Sequence, residues 1–370
     1  MRAIVTILGI ALLLIVLWDS FETIVLPRRV RRRLRLTYLF YASTWRGWSA
    51  IARHIRLSNR RDGFLSYYGP LSLIMLLGVW ANSLALGFAM LHWGLSSALL
   101  DSQGQAIDFG GALYMSGTTL FTLGMGDITP RSPLARALTV AEAGTGIAFL
   151  ALVIGYLPVI YQAFSRREIN ISLLDARAGS PPSAGELLRR HAENDTAEAL
   201  VQFLRDWERW SSELLESHLS YPVLSYYRSQ HDRESWLAAL TMLLDVSALL
   251  IVGVDGIPTY PARLAFAMAR HAAVDLSQIF DTPPRMPSQN RLPPSDLARL
   301  RHLLADAGMA LREGPDADQM LIALRAKYEP YVNALAEHLL IALPPWLPES
   351  DASDDWQTSV WEHASTAPIH

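Results

Sequence analysis

The sequence predicts an all-α membrane protein: three transmembrane helices with a re-entrant half-helix between the second and third, plus an all-helical cytoplasmic domain. Three observations predict it. Long apolar runs stand ahead of Arg166, whereas the remainder is charged and amphipathic. Arginine is dense in one early linker and absent from the stretch that follows it. After Arg167, apolar residues recur at helical spacing and no strand alternation is persuasive.

Composition narrows the function classes. With 370 residues, 51% of them hydrophobic, the chain has room for a membrane domain and one soluble domain. The formal net charge is -3 and the soluble half carries no basic stripe, which points away from nucleic acid. There is no cysteine, so disulfides, thiolate chemistry and cysteine-held metal are excluded. Lys327 is the one lysine; the other cationic side chains are mostly arginine.

A spanning helix needs about 20 mostly apolar residues to cross a hydrocarbon layer about 30 Å thick. Residues 3–26, 68–92 and 134–164 meet this requirement. The first run follows Arg2 as a signal peptide would. Where such a peptide needs a small-residue cleavage site, however, the chain has Asp19, Phe21 and Glu22, and a retained helix is expected. Asp19 and Glu22 are read as its cytoplasmic end, beside the arginines that follow.

Residues 28–62 hold eleven arginines (Arg28, Arg29, Arg31, Arg32, Arg33, Arg35, Arg46, Arg53, Arg56, Arg60 and Arg61) against Asp62 alone. No Lys or Arg occurs from Gly63 to Pro130. The positive-inside rule then puts 28–62 in the cytoplasm and 93–133 outside, with the N-terminus outside and the C-terminal half inside. The expected location is the cell (plasma or inner) membrane. Within the linker Trp45, Trp48, Ile51 (or Ala52) and Ile55 share a face, the pattern of an amphipathic helix lying in the headgroup layer. A cytoplasmic helix packed on other protein would show the same period.

Between the second and third spans lies Phe109-Gly-Gly-Ala-Leu-Tyr-Met-Ser-Gly-Thr-Thr-Leu-Phe-Thr-Leu-Gly-Met-Gly-Asp127. Its first dozen residues are apolar and small, too short to span, and suit a re-entrant half-helix. Irregular backbone at membrane depth is tolerated only where it lines water or is buried in protein. Glycine at alternate positions permits conformations that aim successive carbonyls one way.

The string Thr122-Leu-Gly-Met-Gly-Asp127 resembles the selectivity filter of the potassium-channel pore family, which reads Thr-Val-Gly-Tyr-Gly-Asp. The resemblance covers residues 68–164 and implies a re-entrant pore helix, a filter, and four chains around one pore, since each filter has four walls. Carried over by position, Thr122, Leu123, Gly124, Met125 and Gly126 would replace the water shell of a permeant potassium ion with backbone carbonyls. No cofactor is implied. Asp127 would brace the filter from behind, and Thr118 and Thr119 would support it at the end of the pore helix, whose C-terminus favours a cation. Where the family has tyrosine this chain has Met125, a flexible thioether without a hydrogen-bond donor. A softer cage, less strict between potassium and sodium, is the expected consequence.

In the third span Glu142 is an ionisable group two turns in, read as facing the interior behind the filter and bonded to its backbone. Gly144, Gly146 and Gly155 are candidate gating hinges, with Pro158 beside the last; close helix packing through small residues explains them equally well. No span carries regularly spaced arginines, which points away from voltage sensing.

The chain is thus divided into an N-terminal transmembrane helix (1–27), an Arg-rich interfacial linker (28–67), a pore domain (68–166), a helical cytoplasmic domain (167–344) and an acidic tail (345–370) that reads as disordered. In the cytoplasmic part, Ser183 with Glu186 and Asp195 with Glu198 match capping boxes. Further helices are expected near 234–252, 260–280, 295–312 and 316–342. Residues 236–254 are apolar enough to imitate a fourth span, but Asp245 within them and absent flanking anchors favour a buried core helix. His191, His218, His231, His271, His302 and His338 show no metal spacing and are read as helix-surface residues. No glycine-rich nucleotide loop occurs, and no nucleophile–base constellation suggests an enzyme. The partners expected are further copies of the chain and the lipid bilayer. The alternatives are a cation pore without selectivity, or a non-conducting membrane-anchored sensor or scaffold.

Overall fold

The computed structural model describes residues 1–26, 35–95, 98–193, 197–230, 234–254 and 256–348. Arg28 to Arg33, Asp195, His231 and the acidic residues of the tail lie outside them, so the expectations placed there are not addressed by it. The chain divides into two compact units, Met1–Gln162 and Ala163–His370.

In the first unit, α1 (Arg2–Ser20) continues through a wider turn, Phe21–Val25. It packs along α4 (Tyr68–Gly94). Glycine makes the approach possible: a β-carbon on Gly87 would lie 2.7 Å from Leu13, and one on Gly9 2.9 Å from Met90. Such close backbone contact is how helices associate where lipid offers no hydrophobic drive. The opposite side of α1 leaves Ile4, Ile7, Leu8, Leu14 and Ile15 uncovered, as a lipid-facing surface requires. At its lower end Asp19 accepts bonds from the Trp80 indole (3.0 Å) and the Thr37 hydroxyl (2.6 Å). Arg35 pairs with Glu22 at 3.3 Å. Both acids therefore sit beside an arginine as expected, and they also pin the start of α2 (Leu36–His54) to the spans.

The tryptophans of α2 turn toward protein. Trp45 is buried against the Tyr68 ring (4.8 Å between centroids), and Trp48 stacks on Phe64 of α3 (Ser58–Ser66) at 4.4 Å. The packed-helix alternative thus accounts for these two residues, whereas Ile51 stays exposed. The helical period could not separate the two arrangements, because either needs an apolar face.

The outer loop contributes β1 (Leu99–Leu100) and β2 (Thr129–Pro130), an antiparallel clasp on either side of α5 (Phe109–Leu120). Leu99, Ala112, Met115 and Ala135 form the small core beneath it. The third span belongs to α6 (Pro133–Ala178), which includes Pro158 and outlasts the apolar run.

The second unit consists of the end of α6, then α7 (Ala184–Glu193), α8 (Ala197–Ser220), a short 3-10 turn (Pro222–Tyr226), α9 (Trp236–Gly253), α10 (Thr259–Ile279), α11 (Pro294–Asp306), α12 (Pro315–Arg325) and α13 (Glu329–Leu339). The Ser183 hydroxyl accepts from the Glu186 amide (3.2 Å), one half of the expected capping box. The Glu186 carboxylate turns instead to Arg189 and Arg190.

By length and composition α9 is a fourth candidate span. Yet every residue from Trp236 to Val252 is buried by the rest of its unit, chiefly α10, α12 and α7. A helix apolar on all sides is either a span or the centre of a globular core, and only the second hides all of its faces within protein. Its charged residue confirms that reading: Asp245 is paired with Arg291 (2.6 Å) and bonded to the Tyr328 hydroxyl. Two expectations need correction. The helix expected over 316–342 is broken between Arg325 and Glu329, where Pro330 begins a new helix because its ring cannot continue an old one. His218, read as a surface residue, is 1% exposed, since α8 turns that face inward.

Candidate functional site

The half-helix α5 is 12 residues long, about 18 Å at 1.5 Å per residue, too short to cross a bilayer. Asp108 starts it by accepting a bond from the Gly111 amide at 2.8 Å. Its buried face is Ala112, Met115, Ser116 and Leu120.

At its C-terminus the backbone turns sharply. The Thr118 carbonyl accepts from the amides of Leu123 (2.7 Å) and Gly124 (3.3 Å), and that of Thr119 from Thr122 (3.0 Å). These bonds are made by the main chain of the two threonines, while the Thr118 hydroxyl donates back to the Met115 carbonyl. From there φ is positive at Thr122 (60°), Gly124 (54°) and Gly126 (78°), and at neither Leu123 nor Met125. In an ordinary strand successive carbonyls point to opposite sides. Alternating the sign of φ is a backbone pattern through which that reversal can be cancelled. For Thr122 the left-handed conformation costs about 1–2 kcal/mol, and it is held by the amide bonds just described.

Residues Phe121 to Asp127 are all exposed in the single chain, and Leu123 and Met125 keep 66% and 67% of their surface open. Met125 therefore has little packing from its own pore helix. The Tyr114 hydroxyl lies near the Asp127 carboxylate at the outer end of the segment.

Behind α5 lies a polar group enclosed by apolar side chains. Glu142 of α6 stands 3.3 Å from Nε2 of His92 on α4, both side chains fully buried, with Ser116 of α5 beside the same carboxylate. Glu142 does face inward, but its neighbours are these two side chains and not the filter backbone. One turn along α6, a β-carbon on Gly146 would overlap the Leu120 carbonyl oxygen, so this glycine is required for contact between α6 and the end of α5. Gly144 and Gly155 have open space around them, and α6 is helical through all three.

Residues 76–162 match a family described as "Ion channel". This segment resembles an ion-channel pore domain. It begins within α4, includes α5, the Thr122–Asp127 segment and the spanning part of α6, and leaves α1 to α3 outside. A longer likeness is to the "Uncharacterized membrane protein YdjJ" of Bacillus subtilis (strain 168), 25% identical over 251 residues, 66% of this chain and 71% of that protein. That length extends beyond the pore domain. No solved structure matches the chain.

Asp108, Tyr114, His92 and Ser116 are site residues that sequence reasoning missed. Asp108 had a signal, an acid just ahead of the Gly-Gly that opens the half-helix. His92 and Ser116 had none, because their partner is distant in sequence.

Proposed function

We propose that the chain is the pore-forming subunit of a potassium-type channel, four copies of which surround one filter made of residues Thr122 to Gly126. The observation that carries this reading is the alternation of backbone sign at Thr122, Gly124 and Gly126 on an uncovered segment following a half-helix. Four such segments, brought to a common axis, would present rings of carbonyl oxygens able to replace an ion's hydration shell. The negative ends of four α5 helices would point toward the cavity and favour a cation, and Asp127 would add negative charge at the mouth. The uncovered side chains of Leu123 and Met125 would then rest on neighbouring copies. Gly144 and Gly155, whose surroundings leave room for bending, are the positions proposed to flex during gating. The orientation follows the arginines: N-terminus outside, helical unit in the cytoplasm of a cell with this protein in its plasma or inner membrane.

A second reading, a pore that does not separate potassium from sodium, is favoured by Met125, which offers neither a hydrogen-bond donor nor packing within its own chain. Flux from liposomes containing the full-length protein decides between them. The potassium reading predicts faster potassium than sodium flux and a larger ratio in Met125→Tyr. Equal fluxes would favour the second reading. No flux at all, with a Gly124→Ala variant indistinguishable in cells, would leave a membrane-anchored scaffold.

A further inference from the structure

Three residues beyond the apolar run of α6, Arg167 turns inward and is 4% exposed. Its guanidinium is fully engaged. Nη1 donates to the Leu224 carbonyl (2.9 Å), Nη2 to that of Tyr227 (2.9 Å) and Nε to the Glu168 carboxylate (2.9 Å). It also stands 5.1 Å from the centre of the Phe164 ring. Leu224 and Tyr227 belong to the 3-10 turn that follows α8 and its immediate exit. One side chain thus clasps the end of α6 to the chain reversal after α8.

His218, in the last turn of α8, completes the arrangement. Its Nδ1 lies 2.8 Å from the Leu214 carbonyl, an acceptor only, so Nδ1 carries the proton. That leaves the Nε2 lone pair 3.4 Å from Nη1 of Arg167, which donates toward it. The imidazole ring is closed in by Trp236 of α9, 5.2 Å away. The groups facing it are accordingly Arg167 from α6, with Glu168 on the far side of that guanidinium, the neutral indole from α9, and its own neighbour Ser217. Among the described residues Arg167 is the charged group whose field acts on it.

We propose that Arg167 and His218 form a proton-released latch: with His218 neutral the end of α6 is held to the Pro222–Tyr227 reversal, and a proton arriving at Nε2 releases it. The chemistry is local. A proton on Nε2 turns an acceptor into a donor and sets two cations against each other in a buried site, where solvent screening is weak. The guanidinium cannot yield, since arginine does not deprotonate at such pH. Burial, and after it the charge of Arg167, hold His218 well below the ordinary histidine value. A released, solvated histidine titrates near ~6.5. Below about pH 6.5 the released form therefore gains a proton that the latched form refuses, and the opening equilibrium shifts about tenfold per pH unit. The ligand sensed is the cytosolic proton. That the latch governs current rests on the pore reading above, because α6 carries both; proton binding by the latch does not.

Hydrogen exchange of the full-length protein in nanodiscs, corrected for the intrinsic pH dependence of exchange, reads the latch directly. Protection of the backbone over 221–228 is expected to fall about tenfold per pH unit below about 6.5, and to be independent of pH in His218→Gln. Flat protection in the wild type, or a slope retained in His218→Gln, overturns the proposal. Should that variant not fold, His218→Asn, which likewise cannot take up the proton, is expected to give the same pH-independent protection; a slope retained there overturns the proposal equally. Liposome flux at internal pH 7.5 and 5.5 adds the functional arm. A pH-dependent rate in the wild type, absent in His218→Gln, supports control of the pore. PH-independent flux with a working exchange slope refutes that control but leaves the latch, and no flux at any pH refutes the pore reading alone.

Discussion

At the scale of single residues, the glycines divide by what surrounds them, and spacing alone did not divide them. Gly124 and Gly126 have left-handed backbones in open space. Gly146 has an ordinary helical backbone, but a β-carbon there would collide with the Leu120 carbonyl. Alanine at Gly146 must therefore push α6 away from the pore helix, whereas at Gly144 it meets nothing and improves helix propensity by roughly 1 kcal/mol. Thermal unfolding of the two variants in detergent should move in opposite directions, Gly146→Ala down by several degrees and Gly144→Ala level or up. Equal behaviour would mean that the approach to Leu120 is not needed. The Gly-x-Gly string was legible because its residue types are demanded by backbone conformation. The reason for Gly146 was not, since it depends on a neighbour reached only in three dimensions.

At the scale of elements, hydropathy made the spans legible nearly to their ends: residues 68–92 were expected and Tyr68–Gly94 is found. Other features escaped for physical reasons. The apolar face of α2 suited lipid and protein equally, and Trp45 chose Tyr68. Pro330 was a readable stop signal inside the helix expected over 316–342, and apolar periodicity on either side of it hid the break. His92 and Glu142 join α4 to α6 beside α5, and neither shows its partner in the sequence. Because both are buried, truncating one strands the other. Glu142→Leu and His92→Leu should each destabilise the protein by about 2–4 kcal/mol, and the double variant by less than their sum. A double-mutant cycle on thermal or denaturant unfolding measures this coupling. Strictly additive losses would mean that the two groups do not depend on each other.

At the scale of the whole molecule, the sequence showed a membrane part and a helical part, and the compact units divide at Gln162 and Ala163, within α6. What it could not show is what a single chain leaves unfinished. The Phe121–Asp127 segment is uncovered, and so are Val140, Ile147, Ile154 and Tyr161 along α6. In the proposed channel, lipid and further copies of the same chain would share the covering of this apolar surface. The proposed pore requires that the carbonyls of Thr122 to Met125 from four chains meet around an ion path. Thallium soaked into crystals of the full-length protein tests it most directly, because its anomalous scattering marks each ion it replaces. The account predicts a row of peaks on a fourfold axis, ringed by main-chain oxygens of Thr122, Leu123, Gly124 and Met125. A Thr122–Asp127 segment lying apart from its symmetry mates, with no thallium beside it, would contradict the account.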